Sequence, residues 1–378
     1  MNQVNLDREL LLEKLQRINK FVPTKSVTPI FENLRMSVGS GIMEILASDG
    51  QTQAKFFVSA KHKEDFVFCV PAKLFIATVT LLKENELVIK VKGKKMEMKS
   101  GKGKYSVTIL DEDYPIMPVK TPTSEITLSQ FNLKKGLNST ESFIDEKNPL
   151  PQLIGIHIAQ VGKEIVFTGA IQAMVCRYAT KPISINTWTN IVLPTDTANK
   201  ICSILSDRDE VNITHSKEKL TLSAYTGTTE AWEVMSTLQD IAYPNTEALF
   251  AKPIEDKVVM NTMEVSDCLK RLKLYTMEVP QIILNTGSNL HELVLSAAND
   301  AFGTSGEDMI TINNVCGKNV VRSFNGDQIV QILRNIDDNE FELWLSDSDK
   351  KPCQIIPVNT REGIDFNFKF LIVSMYNN

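Results

Sequence analysis

The stretch Leu6-Asp7-Arg8-Glu9-Leu10-Leu11, which runs on to Leu15, decides the fold because it recurs further along the chain. Its counterpart is Leu128-Ser129-Gln130-Phe131-Asn132-Leu133, which runs on to Leu137. In both copies, apolar residues recur at helical spacing behind a strand-like residue, Val4 or Ile126. The two stretches therefore predict equivalent amphipathic helices in a duplicated unit.

Two more segments repeat at nearly the same spacing. The loop Lys25–Pro29 matches Lys147–Pro151, and Val70–Leu74 matches Leu193–Thr197, with a proline at each predicted helix start. A looser third copy has helices over 263–275 and 324–333. Short alternating segments separated by turn signals predict antiparallel strands, about eight in each third.

The sequence thus predicts an α+β protein of three repeated domains, each with two helices and antiparallel sheets. The joints fall near Tyr114-Pro115 and Tyr243-Pro244, which gives domains at 1–119, 120–245 and 246–378. A repeat whose rotation does not close would give an open array. Three units on each of two identical chains can instead close into a ring.

Composition bounds the class of protein. A chain of 378 residues with 43% hydrophobic and 23% charged residues is typical of a globular protein with several domains. It has no signal-peptide pattern and no apolar run of membrane-spanning length, so we expect a cytoplasmic protein. Six cysteines without a CxxC pair indicate reduced, buried thiols. The net charge of −5 does not by itself suggest a nucleic-acid binder.

The usual sequence patterns of catalytic and metal sites are missing. The four histidines are far apart, and no GxSxG, P-loop or GxGxxG string occurs. The pair Asp337-Asp338 is in a predicted turn, where capping is more typical than acid–base chemistry. We therefore expect no catalytic site, no metal and no cofactor.

Five segments in register with the repeat resemble the bacterial beta sliding clamps, the beta subunit of DNA polymerase III. They are Asn5–Leu11, Val22–Ser26 with Pro29, Val70–Leu74, Leu110–Pro115 and Phe324-Asn325. The resemblance implies a DNA clamp fold and a ring-shaped, head-to-tail homodimer that encloses duplex DNA without sequence specificity. It also implies that the ring serves the replicative polymerase, the clamp loader and other clamp-binding proteins, with no membrane partner.

A clamp needs dispersed positive charge on the helices that face DNA, because such charge contacts phosphates and reads no bases. Lys25 and Lys147 occupy equivalent loop positions, and the family places a DNA-contacting basic residue at the position of Lys25. An ordinary solvated helix face would explain any single lysine equally well. The residues predicted to contact DNA are Lys14, Arg17, Lys20, Lys25, Lys73, Lys134, Lys135, Lys147, Lys200, Lys270, Arg271 and Lys273.

The densest basic stretch, Lys90–Lys104, holds seven lysines against Glu97, and its alternation predicts a β-hairpin. The resemblance implies that this hairpin lies on the outer sheet near the edge of domain 1. Lysines on an edge strand discourage unwanted pairing, which is one explanation. The resemblance implies another, a dimer interface. In it Lys102 and Lys104 would face Glu307 and Asp308 of the partner subunit, and Tyr105 and Val107 would pack on Leu274 and Tyr275 of the partner subunit.

The resemblance also implies an apolar cleft, between domains 2 and 3, for short peptide motifs of partner proteins. The family string Thr-Asp-Gly-His-Arg-Leu is replaced here by Thr168–Ala173, so that Ile171-Gln172 stands where His-Arg is usual. These residues fit plain strand core as well, and a repeat scaffold that binds proteins but not DNA stays open as an alternative. The predicted cleft residues are Leu153, Thr168, Gly169, Ala170, Ile171, Gln172, Ala173, Pro244, Leu249, Val373, Ser374 and Met375.

Overall fold

The computed structural model describes residues 2–110, 113–171, 173–180, 188–207, 209–226, 229–250, 256–276, 280–286, 291–312, 320–346, 348, 351–358 and 366–375. Gln172, one of the predicted cleft residues, lies outside this set. The helices are α1 (Arg8–Ile18), α2 (Ala72–Leu81), α3 (Gln130–Glu141), α4 (Thr195–Cys202), α5 (Glu247–Phe250), α6 (Thr262–Leu272) and α7 (Gly326–Leu333). Short 3₁₀ turns cover Asn19–Phe21, Pro29–Glu32, Pro151–Leu153 and Lys273–Tyr275.

Strands alternate with these helices throughout. They are β1 (Asn2–Asp7), β2 (Asn33–Gly39), β3 (Ile42–Ser48), β4 (Thr52–Ser59), β5 (Lys61–His62), β6 (Phe66–Pro71), β7 (Glu86–Lys92), β8 (Lys95–Ser100), β9 (Gly103–Thr108), β10 (Ser124–Ser129), β11 (Ile156–Val161), β12 (Glu164–Ile171), β13 (Met174–Thr180), β14 (Ile191–Leu193), β15 (Glu210–His215), β16 (Lys219–Thr226), β17 (Thr229–Thr237), β18 (Asp256–Asn261), β19 (Gln281–Asn285), β20 (Glu292–Asn299), β21 (Thr304–Thr311), β22 (Val321–Asn325), β23 (Glu340–Leu345), β24 (Cys353–Pro357) and β25 (Phe366–Ile372).

The chain forms two compact units, and the middle third contributes to both. The first unit comprises Met1–Lys135 and Ser184–Asp240. It contains a five-stranded sheet in the order β5-β1-β7-β8-β9 and an eight-stranded sheet in the order β10-β15-β16-β17-β4-β3-β2-β6. The pairing of β17 with β4 joins strands of the first and second repeats into one sheet.

The second unit comprises Gly136–Ile183 and Ile241–Asn378. Its strands follow the orders β11-β12-β13-β25-β24-β23-β18 and β21-β20-β19-β22. Here β13 pairs with β25, which joins the second and third repeats. All described strand pairs in both units are antiparallel, whereas the division into three domains remains a proposal.

The same strand-to-helix joint occurs three times. In each repeat the first strand pairs antiparallel with a later one, and its last residue caps the following helix while lying opposite a glutamate. These cap and glutamate pairs are Asp7 and Glu86, Ser129 and Glu210, and Asn261 and Glu340. The side-chain oxygen of each cap accepts a hydrogen bond from a backbone N–H of the first helical turn, at 3.0 Å, 3.2 Å and 3.0 Å.

The backbone of this joint repeats as closely as its side chains. The first helical residue donates its N–H to a carbonyl just before the opposite glutamate, at 2.8 Å in α1, 2.7 Å in α3 and 2.8 Å in α6. The predicted prolines, Pro71 and Pro194, directly precede α2 and α4 as N-cap residues. The predicted threefold repeat and antiparallel α+β fold are therefore confirmed.

The helices bury one apolar face against the sheets. Leu11, Leu15 and Ile18 line the buried side of α1 at helical spacing. In the second unit, α3 approaches β12 so closely that only glycine fits at two positions. A Cβ on Gly136 would lie 2.7 Å from the ring of Phe167, and one on Gly169 would collide with a backbone carbonyl oxygen of α3. Gly169 is thus a packing residue between helix and sheet.

We expect Gly169→Ala to lower the free energy of unfolding by about 1–3 kcal/mol, because the added methyl group must displace the α3 backbone. Chemical unfolding followed by circular dichroism measures the change. The control is Gly162→Asn in the turn between β11 and β12, where φ is +63° and the space around the Cβ is open. Asn tolerates that backbone conformation, so the control should unfold like the unmodified chain. Equal stability of the two variants would contradict this packing role.

Candidate nucleic-acid interface and partner surfaces

Most of the basic residues predicted to contact DNA form ion pairs within the chain. Lys14 and Arg17 share Glu13, and Lys134 pairs with Asp207. On α6 and the turn after it, each basic side chain also has an acidic partner. These pairs are Lys270 with Asp267 at 2.8 Å, Arg271 with Asp308 at 2.7 Å, and Lys273 with Asp327 at 2.6 Å.

Arg17 joins the first and second repeats inside the first unit. Its guanidinium donates to the backbone carbonyl of Ile204 and lies 5.2 Å from the ring centroid of Phe56. Burial lowers the pKa of Arg17, against the opposing effect of Glu13. A guanidinium held in this way stacks on an aromatic ring and satisfies a carbonyl. This placement gives Arg17 a structural role in addition to any contact with phosphate.

Lys200 also connects two segments of the first unit through ion pairs. Its ammonium group lies 2.6 Å from Asp49 and 2.5 Å from Asp196. Burial favours the neutral lysine, but the hydrogen bonds to Asp196 and Asp49 outweigh it and raise the pKa of Lys200. The pKa of Asp49 is lowered, because the hydrogen bond from Lys200 and two backbone N–H bonds outweigh its own burial. The pair fastens α4 to the turn between β3 and β4.

The remaining predicted residues are better placed for phosphate. Lys20, Lys25, Lys73 and Lys147 are exposed, and no ion pair is made to them by any described residue. Lys135 is half-buried on α3. Lys25 and Lys147 each stand a few residues before a 3₁₀ turn that begins with proline, at Pro29 and Pro151. The equivalence of these two loop positions is confirmed, and their contact with DNA stays a prediction.

The predicted cleft residues all belong to the second unit, yet only some of them are accessible. Thr168, Gly169 and Ala170 are buried in β12, and Ser374 is buried near the end of the chain. Leu153, Ile171, Ala173 and Met375 are half-buried, and Pro244, Leu249 and Val373 are exposed. The half-buried and exposed residues therefore offer accessible apolar side chains, whereas Thr168, Gly169 and Ala170 are strand core.

A cluster of polar residues that the sequence did not suggest lies beside Thr168. Thr168 is opposite His157 on one side and Arg177 on the other. Arg177 pairs with Glu247 at 2.7 Å and with Glu164 at 3.6 Å. The sequence feature that could have indicated this cluster is the Tyr243-Pro244 joint. Tyr243 stacks on His157 with ring centroids 4.4 Å apart and planes 6° apart.

The ring stack buries a neutral imidazole. Burial lowers the pKa of His157 to about 4, and the nearby charge of Glu247 only partly opposes this. Burial also raises the pKa of Tyr243. Between the folded pKa of His157 and the ordinary histidine pKa of about 6.5, the unfolded chain binds a proton that the folded chain does not. Stability from this site is therefore present near neutral pH and lost as the pH falls below about 6.5.

We expect the free energy of unfolding to fall by about 1–2 kcal/mol through His157 between about pH 7 and about pH 5. His157→Phe keeps a ring to stack on Tyr243 and should remove that part of the pH dependence. His291→Phe, at an exposed histidine, is the control and should leave it in place. Chemical unfolding at the two pH values measures the difference. An unchanged pH dependence in His157→Phe would refute the assignment.

The residues predicted for the dimer interface lie on two outermost strands, β9 and β21, or in the turns Gly101-Lys102 and Lys273–Tyr275. β9 is at one edge of its sheet and β21 at one edge of the other, among the described strands. Lys104 and Tyr105 are exposed on β9, whereas Val107 is buried. Lys102 is exposed in the turn before β9. On the other side, Leu274, Tyr275 and Glu307 are exposed, and Asp308 is half-buried against Arg271.

The described residues offer neither a metal-binding cluster nor a membrane-spanning helix. The described ranges hold no group of three histidine, cysteine, aspartate or glutamate side chains suited to a metal ion. In the part of the chain that the structure describes, every helix is too short or too polar to span a membrane.

Comparison with known proteins gives the same resemblance as the sequence motifs. Residues 2–118 match the family model of the DNA polymerase III beta subunit, N-terminal domain. The beta sliding clamp of Staphylococcus epidermidis is 22% identical over 95% of this chain and 100% of its own length. The N-terminal third of the chain thus matches this family model, and the whole chain is similar to beta sliding clamps. The predicted resemblance is thereby confirmed.

Solved structures of clamps have the same fold over the whole length. A DNA polymerase sliding clamp from Pseudomonas aeruginosa superposes with a TM-score of 0.88 at 17% identity, covering 100% of both chains. The beta subunit from the DNA polymerase of Streptococcus pyogenes gives a TM-score of 0.88 at 18% identity, covering 99% of this chain and 100% of its own. The clamp fold therefore extends beyond the N-terminal third that the family model matches.

Proposed function

We propose that the chain is a DNA sliding clamp, a processivity factor that encircles duplex DNA as a homodimer and tethers the replicative polymerase and other DNA enzymes. Similarity to the beta sliding clamps supports this function, and the threefold repeat with two unpaired sheet edges carries it. As an accessory subunit of this kind, the chain would have no catalytic site of its own. It would act where bacterial chromosomes are copied, in the cytoplasm.

Ring closure follows from how the repeats are already joined. The last strand of the second repeat's first sheet, β17, pairs with β4, and the corresponding strand of the third repeat, β25, pairs with β13. β9 is the equivalent of β17 and β25, and β21 is the equivalent of β4 and β13. Among the described strands, each has a partner on one side only, β8 for β9 and β20 for β21. A second copy supplies both missing pairs head to tail, and ring closure then covers the free edges of β9 and β21.

The repeat also predicts the register of this third pairing. Met235 of β17 lies opposite Gln53 of β4. The strand pairings of the repeats can be aligned from the helix caps. In this alignment Ser106 of β9 is equivalent to Met235 of β17, and Ser305 of β21 is equivalent to Gln53 of β4. The resulting opposite pairs, with the second residue from the partner subunit, are Ser106 with Ser305, Lys104 with Glu307, Tyr105 with Gly306, and Val107 with Thr304.

The faces of the strands support this register. Val107 is buried on the helix side of β9, which places Tyr105 on the same side. Ile310 is buried on the helix side of β21, which places Gly306 there. Tyr105 would then cover the partner's Gly306, next to the partner's Tyr275. A shift of one residue would put apolar residues opposite polar ones.

We expect Lys104→Glu to weaken the dimer about tenfold, which corresponds to about 1.4 kcal/mol, because two carboxylates would then face each other. Glu307→Lys should weaken it similarly, and the two changes together should restore it. Sedimentation equilibrium over a concentration series measures the dimer, with Lys163→Glu at an exposed turn as the control. A Lys104→Glu chain that stays fully dimeric at low concentration would count against this interface.

The exposed lysines Lys20, Lys25, Lys73 and Lys147 are the residues that we propose to contact phosphate. A clamp must stay on DNA and still slide along it. We therefore expect weak, salt-dependent binding to phosphates without contacts that read the bases. The ion-paired residues of α1, α4 and α6 would instead fix the helices in place. If these residues bound phosphate instead, the ion pairs with their acidic partners described above would be lost.

We expect the chain to be retained on nicked circular DNA and released when that DNA is linearised, because only a closed ring depends on topology. The variant Lys25→Gln/Lys147→Gln should bind duplex more weakly, with a salt dependence shallower by about two phosphate contacts. The control is Lys163→Gln/Lys217→Gln, which alters two exposed lysines elsewhere. Retention that does not change on linearisation would favour a protein-binding scaffold or an ordinary duplex binder.

We also propose that partner proteins insert an apolar peptide on the surface formed by Leu153, Ile171, Leu249, Val373 and Met375. These side chains are at least partly accessible and lie in the same unit. Apolar surface with a few polar groups nearby suits a short anchoring motif. The neighbouring pair of Arg177 and Glu247 would supply those polar groups.

A further inference from the structure

The outer side of the five-stranded sheet carries a concentration of positive charge. Strands β7 and β8 alternate between buried apolar residues, such as Ile89 and Met98, and solvent-facing residues. The solvent-facing side holds a set of lysines that we call the lysine face. It consists of Lys61, Lys90, Lys92, Lys95, Lys99 and Lys104.

Several of these lysines oppose one another directly. Lys92 lies opposite Lys95, and Lys99 lies opposite Lys104. Directly opposed side chains in an antiparallel sheet have Cβ atoms about 5 Å apart, and like charges at that separation are destabilising. Among the described residues of these rows, the carboxylates are Glu97, which lies opposite Lys90, and the pair Asp7 and Glu86 at the helix-cap end of the sheet. The face thus holds an unbalanced charge that folding does not favour.

Neither edge protection nor dimer formation accounts for these positions. Both explanations need charge on β9, the outermost strand, and so cover Lys104. Lys90 and Lys92 are on β7, and Lys95 and Lys99 are on β8, which are paired on both sides. A strand inside a sheet has no free edge to protect.

The other two repeats show that the fold does not require these lysines. Counted from the helix caps, the position of Lys90 holds Thr214 in the second repeat and Trp344 in the third. In the third repeat, Lys257 on the same face is neutralised by Glu342 at 2.5 Å. The charge is therefore specific to the first repeat and independent of the shared architecture.

We propose that the lysine face binds the phosphate backbone of duplex DNA, on a surface separate from the lysines proposed above for the ring's hole. Besides the lysines, its rows present the hydrogen-bonding residues Gln3, Asn5, Ser106 and Thr108. These residue types and lysine are those that contact phosphate oxygens. An acidic protein partner would also need apolar or aromatic anchors, and the rows offer only the half-buried Val88.

The arrangement suits a repeating anion. Successive outward residues on one strand are about 7 Å apart, and neighbouring strands are about 5 Å apart, so that the lysines form a grid. Lysine presents a point charge without the planar fork with which arginine recognises guanine. Binding at this face would therefore be independent of base sequence and strongly dependent on salt.

The test uses a duplex of roughly 20 base pairs, comparable with the span of a small protein site, with streptavidin on both ends so that a closed ring cannot thread onto it. We expect Lys92→Gln/Lys95→Gln/Lys99→Gln to weaken binding at least about tenfold at low salt and to make the salt dependence shallower by about three contacts. The matched control is Lys120→Gln/Lys163→Gln/Lys217→Gln, at exposed lysines outside the face. Fluorescence polarisation over a salt series measures binding.

Equal binding of the blocked duplex by the two triple variants would overturn the proposal. So would a poly-glutamate chain that binds through the lysine face while the duplex does not, since that result would indicate an acidic protein partner. The altered lysines are on β7 and β8 and not on β9 or β21, the strands proposed to pair between subunits, so sedimentation should show an unchanged dimer. A chain that fails to be retained on circular DNA but still binds the blocked duplex would separate this inference from the proposed function.

Discussion

Backbone hydrogen bonding at the ends of each sheet is the constraint on which the rest of the structure depends. Strand β17 is paired by β4 in the first unit, and β25 is paired by β13 in the second, so each unit has a continuous sheet that crosses a repeat boundary. Because every repeat ends in the same kind of strand, one pairing solution serves at each boundary. The free outer edges of β9 and β21 remain because one chain has no further repeat to pair with them.

The first helix of each repeat is joined to its sheet by a side-chain cap. The capping hydrogen bond is the same in all three repeats, although the capping residue differs. Asp7, Ser129 and Asn261 are different residues, yet each presents an oxygen that accepts from the first helical turn. What the joint needs is an acceptor for otherwise unpaired N–H groups, so substitution among short polar residues leaves it intact. The glycines between α3 and β12 are less replaceable, because they are set by contact distance.

Charged residues serve two different purposes in this chain. On the helices, most lysines and arginines form ion pairs with nearby carboxylates that hold the helices in place. Lys200, which pairs with both Asp49 and Asp196, is an example. On the outer side of the five-stranded sheet, lysines face each other instead. The first arrangement stabilises the fold, whereas the second is explained by a ligand that supplies the missing negative charge. A net charge of −5 conceals both, because it averages over the whole chain.

The sequence by itself determined the repeat, the helix positions and the antiparallel class, because spacing and capping residues are local properties of the chain. Its motifs also carried the resemblance to the beta sliding clamps. Only the tertiary structure decided which residues of the candidate surfaces are available. Residues 168–170 are buried strand core, and Arg17 and Lys200 make contacts that hold helices to other segments. The cluster of His157, Arg177 and Tyr243 is formed by residues that are distant in sequence. Burial and ion pairing depend on strands that are far apart in sequence, and no local pattern records which of them will become neighbours.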